Sequence, residues 1–153
     1  PTPSLEPDTP QDRARMHQWI SAVNSYYYPY MIYHVGHERN VFPRLGIPSD
    51  EKVVAHALPK IEVGLQVMER QLSHAQGFLL GGEATLADYY LLPSTYSFGR
   101  TPEGKTMYAS FPVVQAWRER MEALPTVRQL RQAADLPPIE HARKWAVSHR
   151  PKY

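Results

Sequence analysis

Six apolar residues, Val54, Leu58, Ile61, Leu65, Met68 and Leu72, recur at intervals of four, three, four, three and four. That rhythm is one face of an α-helix held for about five turns. Pro48 precedes the run, Ser49 stands where a cap belongs, and Asp50 and Glu51 fall in the first turn. Acids there favour the positive end of the helix dipole. Val63 and Val67 lie on the opposite side of the same helix. The helix therefore offers a core face and a second apolar face, and a spare apolar face marks a partner surface. Pro59 falls inside the pattern and predicts a bend.

A second long helix is predicted from about Pro10 to about His34. Thr9 is a good cap, Pro10 occupies the first helical position, and Asp12 follows three residues after the cap. At helical spacing Trp19, Val23, Tyr26, Tyr30 and Tyr33 share one arc. Met16, Ile20, Tyr27, Met31 and His34 share the neighbouring arc. Together they exceed the ~100° stripe of a simple surface helix, so this helix also buries two faces. Pro29 predicts a kink. Gly36 to Ile47 reads as a loop, and Ala75 to Ala84 as another. A third helix runs from Thr85 to about Phe98, and a loop with Gly99, Pro102 and Gly104 follows. A fourth helix opens at Phe111-Pro112 and carries Val113, Val114, Trp117, Met121 and Leu124. Pro125 opens a short fifth helix with Val127 and Leu130, and Pro137-Pro138 ends regular structure. No sustained alternation and no Asn-Gly or Asp-Gly hairpin signal occurs. The expected fold class is all-α, with five or more helices.

At 153 residues the chain is one ordinary domain with room for a core. It has no cysteine, which excludes disulfides, a thiol nucleophile and cysteine-bound zinc. No apolar run reaches the ~20 residues of a membrane span, so no membrane partner is expected. Net charge is +2, but Arg143, Lys144, Arg150 and Lys152 leave 13 bases against 15 acids elsewhere. A body of net −2 argues against a nucleic-acid partner. The expected organisation is a linker over 1–9 (three prolines and two acids), a helical domain over 10–136 and a basic tail over 137–153. Trp145 is the bulky anchor of that tail.

Thr85-Leu86-Ala87-Asp88 has the form of a capping box, in which Thr85 and Asp88 satisfy each other's backbone amides. This is a structural role. The wider stretch, Phe78-Leu79-Leu80-Gly81-Gly82-Glu83-Ala84-Thr85-Leu86-Ala87-Asp88, closely resembles the conserved block of the glutathione transferase C-terminal domain. Pro112, Val114, Trp117, Arg120, Pro125 and Val127 match that family's downstream spacing. Arg13-Ala14-Arg15-Met16 with Gln18-Trp19 resembles the opening of its first helix. The resemblance covers about residues 3–135.

The resemblance implies a helical domain that follows a thioredoxin-like domain of the same protein. That other domain would hold glutathione and the catalytic residue, so none is assigned within this chain. The helical half would supply the wall of a pocket for a small hydrophobic electrophile and much of a homodimer surface. It implies a cytoplasmic transferase, inactive as this piece alone, with glutathione as co-substrate. A helical interaction or assembly module on the same scaffold is the alternative, and a glutathione-dependent reductase or isomerase is a third.

Five of the ten tyrosines lie between Tyr26 and Tyr33. Aromatic rings with a polar tip suit the wall of a cleft. Packing on core and dimer is the competing reading. On the first, Tyr26, Tyr30 and Tyr33 border the electrophile pocket with Trp145 at its rim. His34 and His37, followed by Glu38, are better read as histidines at a helix C-terminus than as metal ligands, because no third ligand supports the pair. No metal is expected. No nucleophile elbow and no phosphate loop occurs.

Overall fold

The structure, a computed structural model, describes residues 4–133. Among these residues every regular element is helical, and extended pairing is limited to one bridge between Phe78 and Gly81. Helix α1 spans Pro10–Ala22, and Thr9 caps it by accepting from the Asp12 amide at 3.1 Å. It runs on into a π-helical segment, Val23–Val41, whose turns close on the fifth residue. A short 3-10 turn, Pro43–Leu45, leads to α2, Glu51–Ala75. Then come α3, Leu86–Gly99; α4, Pro102–Tyr108; α5, Pro112–Ala123; and α6, Pro125–Ala133. Both α2 and α3 pack on the π segment, and α5 closes over them.

The α2 stripe behaves as its spacing predicts. Val54, Ile61, Leu65, Met68 and Leu72 are buried and Leu58 packs against them, while Val63 and Val67 face outward. Met16, Tyr27 and Met31 are buried on the other side of the same core, with Ile20 against it. Removing this much apolar surface from water is the main force holding the helices together.

The first long helix departs from expectation. It does not end near His34 but continues to Val41, and Gly36 lies inside it instead of opening a loop. Pro29 marks no break. Proline cannot donate, and its ring presses on the carbonyl four residues back; a wider turn moves that carbonyl aside. Gly36 is required for packing. A Cβ there would stand 2.5 Å from Ser97 Oγ and 2.8 Å from the Met31 carbonyl oxygen. The absence of a side chain at Gly36 lets α3 approach the helix closely here.

Two smaller corrections concern where helices start. Asp50, not Ser49, caps α2 by accepting from the Lys52 amide at 2.9 Å. Ser49 instead donates to the Glu38 carbonyl, and the buried Glu38 carboxylate accepts the Asp50 amide at 2.7 Å. The stretch after Gly99 is not all loop. Thr101 accepts from the Gly104 amide at 3.0 Å, Pro102 takes the first helical position, and α4 forms. Arg39 then ties the corner together. It chelates Glu51 at 2.7 and 2.8 Å and donates to Glu103 at 2.8 Å. The two acids hold its guanidinium well above its usual pKa.

Candidate functional site

The π segment lays its side chains in rows four residues apart. Val23, Tyr27, Met31 and Val35 are buried, and His34, Glu38 and Phe42 form a second buried row. Aromatic rings extend the second row toward the start of the segment. Tyr26 meets Tyr30 edge-on with ring centres 5.1 Å apart, and Tyr30 meets His34 at 5.2 Å. Tyr33 belongs to a different row. Its ring lies 4.8 Å from His37 and 6.1 Å from Tyr28. The structure thus joins Tyr26 to Tyr30 and sets Tyr33 on the neighbouring strip. Trp145 lies outside the described residues.

The hydroxyls divide by role. Tyr26 donates to the Lys60 carbonyl at 2.8 Å and Tyr27 to the Gly64 carbonyl at 2.9 Å, so both pin the π segment to α2. Burial pushes both phenols up from their usual pKa, more strongly for Tyr27. Tyr30 is only partly buried, and α2 completes its surroundings. Lys60 Nζ stands 5.4 Å from the centre of the Tyr30 ring and 2.9 Å from His56 Nε2. An ammonium only donates, so His56 Nε2 is the acceptor in this contact. Lys60 and His56 were missed from sequence, although their spacing of four on a predicted helix was readable.

His34 and His37 are not at a helix end. Both sit within the π segment. His34 Nδ1 donates to the Pro29 carbonyl, which fixes its tautomer. Burial lowers the pKa of both rings. Among the described residues no group of three or more His, Cys, Asp or Glu side chains is placed to hold a metal. The row of rings is thus an apolar, neutral surface with Lys60 as its cation. It suits contact with an aromatic molecule more than proton transfer.

The Thr85–Asp88 capping box opens α3. The buried Asp88 carboxylate accepts from the Thr85 amide and the Thr85 hydroxyl, each at 2.9 Å. It also accepts from the Leu79 amide and Trp117 Nε1, each at 2.9 Å. These two residues fasten the glycine loop and α5 to the start of α3.

The family model for the glutathione S-transferase C-terminal domain matches residues 11–125. The chain belongs to the glutathione transferase family. The matched span begins one residue inside α1 and ends on the first residue of α6, so this domain of the family comprises nearly all the helices described. The chain is 35% identical over 114 residues to the probable glutathione S-transferase GSTF1 of Oryza sativa subsp. japonica, covering 74% of this chain and 48% of that protein. Glutathione transferase F7 from Populus trichocarpa shares the fold, with a TM-score of 0.76 at 22% identity over 87% of this chain and 61% of that one. Glutathione S-transferase I, solved with lactoylglutathione bound, superposes with a TM-score of 0.72 at 26% identity over 79% of this chain and 56% of that one. The chain spans about half the length of the relatives it matches. No helix among the described residues is long and apolar enough to cross a membrane.

Proposed function

We propose that this chain is the helical half of an enzyme that conjugates glutathione to small hydrophobic electrophiles. The observation that carries this reading is the family match across residues 11–125. In the proposed enzyme a thioredoxin-like domain of the same protein holds glutathione and lowers its thiol pKa, so the thiolate is the nucleophile. The helical half positions the electrophile. Tyr30 and Tyr33 form the wall, Tyr26 braces Tyr30, and Trp145 stands at the rim. The partly exposed Tyr30 ring beside Lys60 supports this assignment, because it offers a flat apolar surface next to a positive charge.

The test uses the full-length enzyme with an activated aromatic halide and glutathione. Tyr30→Ala or Tyr33→Ala should raise KM for the electrophile more than KM for glutathione, since each removes contact area and leaves the thiolate machinery intact. Equal effects on both substrates would overturn the pocket assignment.

We further propose that the outward face of α2 pairs with a second copy about a two-fold axis. Val63 is 52% exposed and Val67 38%, one turn apart on that face. Val67→Glu should shift the full-length protein toward monomer in sedimentation. A protein that is already monomeric at micromolar concentration would refute the pairing.

A further inference from the structure

Gly99, Lys105, Tyr108, Ala109, Gln115 and Arg118 line a cleft of about 300 Å³. It lies where the end of α3 meets α4 and α5, and no residue of α1, the π segment or α2 contributes to it. Its floor is rigid. The buried Tyr108 hydroxyl donates to the Thr95 carbonyl at 3.0 Å, and the ring packs edge-on to Phe98. The Arg118 guanidinium lies over that ring, 4.2 Å from its centre. A Cβ at residue 99 would collide with Arg118 Nη2, so the glycine makes the niche in which the guanidinium rests.

The electrostatics of the niche are one-sided. Arg118 Nη1 donates to Gln115 Oε1 at 2.8 Å, while Nε is enclosed and makes no hydrogen bond. The acid next in sequence, Glu119, accepts instead from the Gln115 amide at 3.0 Å. The ion pairs among the described residues join Arg15 to Asp12, Arg39 to Glu51 and Glu103, and Arg131 to Glu122. None uses Arg118 or the exposed Lys105. Two positive charges therefore share one cleft whose lining contains no carboxylate. Holding a guanidinium partly out of water without an anion is costly, and the aromatic floor offsets only part of that cost.

We propose that this cleft is a binding site for the phosphate group of a small metabolite. Two uncompensated cations match a dianion. The Arg118 guanidinium and the Lys105 ammonium supply positive charge and charge-assisted N–H donors for its oxygens. The volume lies at the lower end of the range for ligand pockets, enough for a phosphate with a small substituent. The site is separate from the row of tyrosine rings and does not depend on the transferase reading.

The test is a titration of the ¹⁵N-labelled full-length protein with inorganic phosphate, against sodium chloride and sodium acetate at matched ionic strength. The readouts are the Arg118 side-chain Nε–H signal and the amide signals of Gly99 and Ala109. Saturable shifts at millimolar phosphate are expected, with little response to either control. Lys105→Gln removes an exposed charge and leaves the packing alone, and it should weaken binding about tenfold or more. Gly99→Ala should abolish it by displacing Arg118. Shifts that are linear in salt, acetate binding as tight as phosphate, or a Lys105→Gln protein that binds phosphate unchanged would each overturn the assignment.

Discussion

Trp117 Nε1 on α5 donates to Asp88 Oδ1 at the start of α3, across 2.9 Å and wholly out of water. The contact joins two helix systems through one carboxylate that also accepts from Leu79 and Thr85. A buried anion is tolerated only when its lone pairs are filled, and here four donors fill them. The capping box is thus one side of a wider junction.

Replacing Asp88 should therefore cost more than the loss of a surface cap. Asp88→Ala strands the Leu79 amide and the Trp117 indole in the core, and about 3–5 kcal/mol of stability should be lost. Trp117→Phe keeps most of the packing and removes one donor, for about 1–3 kcal/mol. Urea unfolding of the variants beside the parent measures both. An Asp88→Ala protein with the parent midpoint would show that the carboxylate is not a junction.

How much of this was legible depends on the range of each interaction. The α2 stripe and the Thr85–Asp88 pair rest on residues three or four apart, and both were readable. The partners of Asp88 at Leu79 and Trp117, and of Glu38 at Asp50, are distant in sequence, and no spacing rule reports them. The tyrosines show the limit most clearly. Counting at α-helical spacing put Tyr26, Tyr30 and Tyr33 in one row, but the wider turn of the π segment moves Tyr33 to the row of His37. A buried run of Val23, Tyr27, Met31 and Val35, with no step of three, is the sequence trace of that wider turn. Helix α4 went unread because Gly104, with Gly99 just ahead of it, looks like loop, although Thr101-Pro102-Glu103 is a good start signal.

Glu69 caps a helix that is not its own. Its carboxylate on α2 accepts from the Val113 amide at 3.0 Å and the Val114 amide at 2.9 Å, the first free donors of α5. Phe111 at the cap position has no side chain that can do this. Glu69→Ala should cost about 1–2 kcal/mol through lost capping and lost charge at the helix N-terminus. Hydrogen exchange at Val113 and Val114 should rise more than exchange in α3. Unchanged protection at those two amides would rule the cap out.

Gly36 offers a test of the close approach between the π segment and α3. Gly36→Ala drives a methyl group against Ser97 Oγ and the Met31 carbonyl, and one helix must shift. The expected loss is about 1–3 kcal/mol, the usual range for overpacking. This reverses the gain that Gly→Ala normally brings in an exposed helix. A variant as stable as the parent, or more so, would mean that the two helices stand further apart than described.

The last expectation concerns pH. Burial lowers the pKa of His34 and His37. At His34, nearby His56 and Lys60 lower it further, while the Pro29 carbonyl and Glu38 act against them. At His37, Glu38 is the opposing group. In the unfolded chain both rings titrate near ~6.5. Between that value and their lower folded values the unfolded chain binds more protons, so stability rises with pH across the window. The contribution is fully present above about pH 7 and is lost as pH falls through ~6.5 toward the folded values. The Arg39–Glu51 pair acts lower, because Arg39 holds the Glu51 carboxyl below its usual value and its share is lost only in the carboxylate range. A plot of Tm from pH 8 to pH 5 should therefore begin to fall near ~6.5, before the carboxylates titrate. His37→Phe keeps a ring between Tyr33 and Phe42 and removes the proton, so it should flatten that limb. If the variant falls as steeply as the parent between pH 7 and pH 5, the half-buried ring at His37 is not what the acid limb reports.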